Sequence, residues 1–133
     1  MNDYIVYTDG AYSSSLNQGG VGFIILREGK KICSFSKMYK NTTNNRMEIL
    51  AVILALESIK SSKSITVYTD SMYVIGCGVK GYKRNKNNDL WKRFDIALNK
   101  HTDVTFNHVK GHSVNDYNNE CDYLAVTASQ YIS

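Results

Sequence analysis

The tetrapeptide Val6-Tyr7-Thr8-Asp9 returns letter for letter as Val67-Tyr68-Thr69-Asp70. Each copy closes a β-rich run on an aspartate, a residue depleted inside strands. Open α/β sheets take their ligands in the crevice outside the carboxyl ends of the strands. If the two runs are neighbouring strands, two carboxylates meet in that crevice.

The rest of the chain supplies a fold that allows this. Residues 4–8 and 21–26 are β-rich, and Arg27-Glu28-Gly29-Lys30 reads as a hairpin turn into a third run at 32–39. Residues 49–56 are unbroken apolar sequence of helix-forming type. A short buried strand is expected at 65–69 and a short helix at 71–77. An amphipathic helix over 89–98 carries Leu90, Phe94, Ala97 and Leu98 on one side, followed by a strand at 104–109 and a helix at 116–129. This order predicts an α/β layered domain whose mixed sheet begins as an antiparallel meander and continues through parallel crossovers. With no proline, linker-like stretch or low-complexity tract, residues 1–133 are expected to form one domain. Trp91, Phe94 and Leu98 are read as core rather than as a stacking surface.

Charge narrows the partners. The formal balance is +4, from 16 basic and 12 acidic residues, which suits a polyanion. Lys80, Lys83, Arg84, Lys86, Lys92 and Arg93 crowd one stretch in which Asp89 is the only acid. No apolar run is long enough to span a membrane, and Met1-Asn2-Asp3-Tyr4 does not open a secretory signal, so a cytoplasmic protein is expected, with a monomer as the default. Cys33, Cys77 and Cys121 are odd in number and far apart, which argues for separate thiols over disulfides or structural zinc.

Each acid has an ordinary explanation beside a catalytic one. Asp9-Gly10 could form a hairpin turn, but the next strand begins too late for a two-residue loop. Asp70 alone is better explained as the cap of the helix that follows it. Asn45 and Glu48 have the spacing of a capping box. Yet Glu48, Val52, Ala55 and Ile59 share one helical face, where a carboxylate is costly unless paired or bound to metal. Asp122, beside Cys121, Leu124 and Ala125, reads alone as a solvated helix acid. Four acids on four elements, without Cys or His pairs nearby, suit hard oxygen-preferring cations such as Mg²⁺ or Mn²⁺. Two such ions roughly 3.5–4 Å apart can hydrolyse a phosphodiester, and the empty cluster should repel itself.

These residues match a known family. Thr8-Asp9-Gly10, Thr42-Thr43-Asn44-Asn45-Arg46-Met47-Glu48, Thr69-Asp70-Ser71 and Val109-Lys110-Gly111-His112 resemble type 1 ribonuclease H. Asn118 and Asp122, six and ten residues beyond His112, also fall where that family keeps an Asn and its last acid. The likeness runs from about Tyr4 to Ala128. It implies a ribonuclease H-like fold, a five-stranded mixed sheet flanked by helices, and endonucleolytic cleavage of RNA within an RNA–DNA hybrid. By position, Asp9, Glu48, Asp70 and Asp122 resemble the acids that hold two Mg²⁺ ions, for which Mn²⁺ is expected to substitute. His112 resembles the loop histidine that assists proton transfer or product release, work suited to an imidazole. Thr43 resembles a DNA-phosphate contact, and Asn44 and Asn45 resemble groups that reach the minor groove. Gly10, Ser15, Ser71 and Asn118 fall at further expected substrate positions. Hydroxyl and amide groups can test for a 2′-OH, and phosphate contacts carry little sequence information, so little sequence preference is expected.

Three positions depart from the pattern. Ser15-Leu16-Asn17 stands where many relatives carry Asn-Pro-Gly, and Met72 where a Gln is common. Only residues 78–88 fill a gap in which bacterial members often insert a helix and basic loop. Tyr82 among Lys80, Lys83 and Arg84 offers either an aromatic-plus-cation grip in its place or simply a solvated basic loop. The alternatives are another nuclease of the same general fold, a non-catalytic binding module, and a domain that works beside a polymerase.

Overall fold

A computed structural model describes residues 3–110 and 116–132. The elements run β1 (Tyr4–Ser13), β2 (Gln18–Arg27), β3 (Lys30–Lys40), α1 (Asn44–Ser58), β4 (Ser64–Thr69), α2 (Met72–Gly78), α3 (Asn88–Asn99), β5 (Asp103–His108) and α4 (Asp116–Ser129). The sheet order is β3-β2-β1-β4-β5. β1, β2 and β3 pair antiparallel, while β1–β4 and β4–β5 are parallel, as the element order predicts. The β2–β3 turn places Glu28 at φ 53 and Gly29 at φ 77, the left-handed pair that a tight two-residue hairpin requires.

Alternation along the strands sends side chains to two cores. Val6, Phe23, Ile25, Ile65 and Val67 pack beneath α1 and α3, while Tyr7, Ile24 and Leu26 meet Cys121 of α4 on the opposite face. α1 is buried on most sides, with Ile49, Ala51, Val52, Ile53, Ala55 and Leu56 all at 0% exposure. That explains why its sequence lacks a polar stripe. Each fully buried Ile, Leu or Val side chain here contributes about 1.5–3 kcal/mol. Trp91 and Phe94 are buried in the first core with Leu98 packed at its margin, and the three cysteines are free thiols.

Two glycines set the distance between layers. A Cβ on Gly20 would collide with the Ala125 carbonyl oxygen, so α4 lies directly against β2. A Cβ on Gly10 would stand 2.5 Å from both Glu48 N and Met47 C, so the first turn of α1 rests on β1.

The helix starts correct two expectations. The cap of α1 is Thr43, whose hydroxyl accepts from Arg46 N–H at 3.2 Å, and Asn45 lies inside the helix. The cap of α2 is Ser71, whose Oγ accepts from Val74 N–H at 3.1 Å. Glu48 and Asp70 are thereby released from the capping roles that spacing alone offers them.

Candidate active site

Tyr7 and Tyr68 of the repeated tetrapeptide stack, with ring centroids 4.9 Å apart, because β1 and β4 run parallel in register from Tyr4↔Ile65 to Thr8↔Thr69. β4 ends at Thr69, but β1 continues to Ser13 because β2 goes on pairing with it through Gly19 and Gly20. Asp9 therefore sits inside a strand, at the point where its parallel neighbour stops. Asp70 leaves β4 at the same level.

α1 brings the third acid. Gly10 N–H donates to Glu48 Oε1 at 2.8 Å and lies 2.9 Å from Asp9 Oδ1. The missing Cβ of Gly10 permits this approach. Carboxylate oxygens of Asp9, Glu48 and Asp70 lie within 4.8 Å of one another. Asp122, half-buried on α4, comes within hydrogen-bonding reach of Asp9. Asp9 is the hub, since Glu48, Asp70 and Asp122 each interact with its carboxyl group.

The electrostatics follow from this crowding. Burial, then the charges of Asp70 and Asp122, push Asp9 from an ordinary 3.8 up to about 8. Burial, reinforced by Asp9 and Asp70, raises Glu48 well above its ordinary value. Asp70 is raised by burial, against a hydrogen bond from Asp9 that opposes the shift. Among the described residues none of these acids has a Lys or Arg ion-pair partner, and Asp70 Oδ1 is buried without a hydrogen-bond partner. Clustered carboxylates with an orphaned oxygen are the donor set that a hard divalent cation satisfies. The residues fit such an ion.

The remaining expected positions fall around this cluster. Thr43, Asn44 and Asn45 are exposed at the start of α1. Ser71 is buried as the α2 cap, and Ser15 is exposed in the β1–β2 turn. Asn118 is 2% exposed, one turn before Asp122 on α4. Tyr82 and Lys83 are exposed on the loop after α2. A groove of about 210 Å³ joins that loop to α1, lined by Asn45, Tyr73, Lys83, Asn85, Lys86 and Asn87. His112 lies outside the described residues.

Sequence reasoning overlooked two further groups. His108 ends β5 opposite Thr69, where its charge acts on Asp70. Asn87 adopts φ 65 before α3, its Oδ1 accepting from Arg46 Nη1 at 3.3 Å and its Nδ2 donating to the Tyr73 hydroxyl at 3.0 Å. The one advance signal for His108 is its place at the end of a β-run, and Asn87 gives none.

Comparison with known proteins agrees with this geometry. A family model for RNase H matches residues 1–130. Ribonuclease H of Trichodesmium erythraeum is 45% identical over 139 residues, covering 94% of this chain and 87% of that protein. The structure of RNase H1 from the archaeon Halobacterium salinarum superposes with a TM-score of 0.80 at 25% identity, covering 96% of this chain and 97% of the other. The prototype foamy virus protease–reverse transcriptase gives 0.83 at 25% identity, with this chain covered in full and matching 21% of that longer chain. The fold and its acidic crevice define a metal-dependent nuclease class. The chain belongs to the ribonuclease H family.

Proposed function

We infer that this chain hydrolyses the RNA strand of RNA–DNA hybrids endonucleolytically, with Asp9, Glu48, Asp70 and Asp122 holding two Mg²⁺ ions. Family membership carries the reaction. The observation that carries the site is the convergence of three carboxylates within 4.8 Å, with no lysine or arginine paired to them among the described residues. Bound there, two divalent ions would activate water and stabilise the leaving oxygen of a phosphodiester.

The chain's own part is positioning. Gly10 N–H fixes Glu48 against β1, and the end of β4 aims Asp70 at the same point. Asp9 connects all of them, so its loss affects every partner. His112 assists proton transfer or product release. Thr43 holds a DNA phosphate, while Asn44 and Asn45 reach the minor groove. Gly10, Ser15, Ser71 and Asn118 complete the binding surface, Ser71 and Asn118 from buried positions that hold their neighbours in place. Tyr82 and Lys83 grip the DNA strand, Lys83 from the groove it shares with Asn45, and Lys86 adds charge there. Contacts of these kinds give little sequence preference, and affinity depends strongly on salt. Residues 1–133 act as one catalytic domain, a monomer in the cytoplasm; no described helix is long and apolar enough to cross a membrane.

End-labelled hybrid incubated with Mg²⁺, Mn²⁺ or chelator tests the reading. Internal RNA cuts are expected with either metal and none with chelator or with Asp9→Asn. Cleavage that survives chelation would sink the metal assignment. Cutting of duplex or branched DNA in preference to hybrid would favour another nuclease of this fold.

A further inference from the structure

We propose that Arg84 is a positioning residue that holds the short loop between α2 and α3 as a preformed wall of the substrate groove. This rests on the reading that the loop contacts hybrid. Lys83, Asn85 and Lys86 line the groove, but Arg84 between them turns the other way. Its Nη1 and Nη2 donate to Asp95 Oδ2 and Oδ1 at 2.7 and 3.0 Å, and its Nε donates to the Cys77 carbonyl at 2.9 Å. Its guanidinium lies 4.7 Å from the centroid of the Trp91 ring, itself 1% exposed. One side chain thus ties the middle of the loop to the end of α2, to α3 and to the first core.

Other contacts also seat the loop, among them a long one from the Cys77 thiol to the Lys83 carbonyl at 3.7 Å. Tyr82 N–H donates to the Gly76 carbonyl at 3.0 Å, and its ring occupies the place where a Cβ on Gly76 would be. That leaves Tyr82 61% exposed, with a face free to stack. Gly81 at φ 79 makes the bend. Residues 78–88 contain no acid, so like charges spread the lysines apart unless something holds the backbone. Arg84 is suited to that because its charge is neutralised by Asp95 and directed away from the groove. A planar fork that also stacks on an aromatic ring is a geometry lysine cannot reproduce.

A loop ordered before binding spares the entropy of ordering it on the substrate. Losing Arg84 should then weaken hybrid binding and leave the chemical step intact.

The test is steady-state cleavage of hybrid by the full chain carrying Arg84→Met, Arg84→Lys, Asp95→Asn or the pair Lys83→Ala/Lys86→Ala. A rise in KM of about five- to tenfold is expected for both Arg84 variants, with kcat within about twofold, and a smaller rise for Asp95→Asn. The slope of log KM against log salt should stay at the wild-type value in Arg84→Met. In the lysine pair it should fall by about 0.9 per lost phosphate contact. Hydrogen exchange over residues 78–88 should quicken in Arg84→Met and Asp95→Asn. Should Arg84→Met fold poorly, Asp95→Asn keeps the question open to measurement by removing the fork's partner alone. Wild-type KM in both Arg84→Met and Asp95→Asn, with KM raised in the lysine pair, would overturn the role of Arg84 and leave the loop as a grip. Wild-type KM in Arg84→Lys would reduce the residue to its charge and likewise overturn the proposal. A wild-type KM and salt slope in the lysine pair would remove the loop from the substrate site, and the proposal with it.

Discussion

Around α3 three acids each meet an arginine fork. Asp89 takes Arg46 at 3.0 and 2.7 Å, Asp95 takes Arg84, and Glu57 takes Arg93 at 2.8 and 2.6 Å. At the carboxyl end of the parallel strands, Asp9, Glu48 and Asp70 have one another and no such partner among the described residues. The consequences are opposite in sign. Arg46 holds Asp89 down at about 2, whereas burial and neighbouring charge lift Asp9 to about 8. The first set needs nothing from outside the chain. The second is unfavourable by itself, as the proposed cation site requires.

The largest contrast should appear when one acid from the unpaired set loses its charge. Asp9→Asn is expected to lower single-turnover cleavage at least about 10³-fold, because several kcal/mol of metal-dependent stabilisation is lost. The same change should raise the melting temperature of the metal-free protein at neutral pH, since it removes a carboxyl group that must take up a proton to fold. A variant that is inactive and also less stable would show that Asp9 is structurally needed, and the contrast would break.

Next in size is Gly10→Ala. The added methyl would press on the backbone of Met47 and Glu48, costing about 1–3 kcal/mol in urea unfolding. Because the displaced turn carries Glu48, activity should fall further than stability accounts for. Equal losses in the two would mean that the close approach serves packing alone.

Much of this was legible beforehand. The repeated Val-Tyr-Thr-Asp announced two strands ending together, whereas the unbroken apolar run of β2 gave no sign that its residues divide between two cores. Glu48 on an apolar face was a sound signal because spacing and hydropathy conflict there. The extent of β1 was not legible, since Gly10 to Ser13 owe their strand conformation to pairing with a glycine-rich partner. The caps were misread by one or two positions, because Thr, Asn and Ser are equally able caps and tertiary contact chooses among them. The paired arginines around α3 were visible only as a run of positive charge, because their partners lie up to 43 residues away.

A third effect is a pH dependence carried by the unpaired set. Asp9 keeps its proton in the metal-free fold up to about 8, whereas the unfolded chain loses it near 3.8. A folded-state value raised in this way gives stability that is present at low pH and disappears as pH rises toward 8. Metal-free protein should therefore melt at progressively lower temperature between pH 5 and 8. The increment given by Mg²⁺ should widen over that window, because metal binding displaces the proton. Melting curves with an increment that does not grow with pH would contradict this.

The smallest effect belongs to the paired set. Glu57→Gln breaks a largely exposed ion pair with Arg93 and should cost under about 1 kcal/mol, with kcat unchanged.

The central claim is that the acids at the end of the sheet are held ready for a divalent cation. Calorimetric titration of Mn²⁺ into metal-free protein, in two buffers of different ionisation enthalpy near pH 7, tests it most directly. Saturable binding with net proton release is predicted for the wild type, and loss of that binding for Asp9→Asn. Binding without proton release, or binding that Asp9→Asn leaves unchanged, would contradict the account.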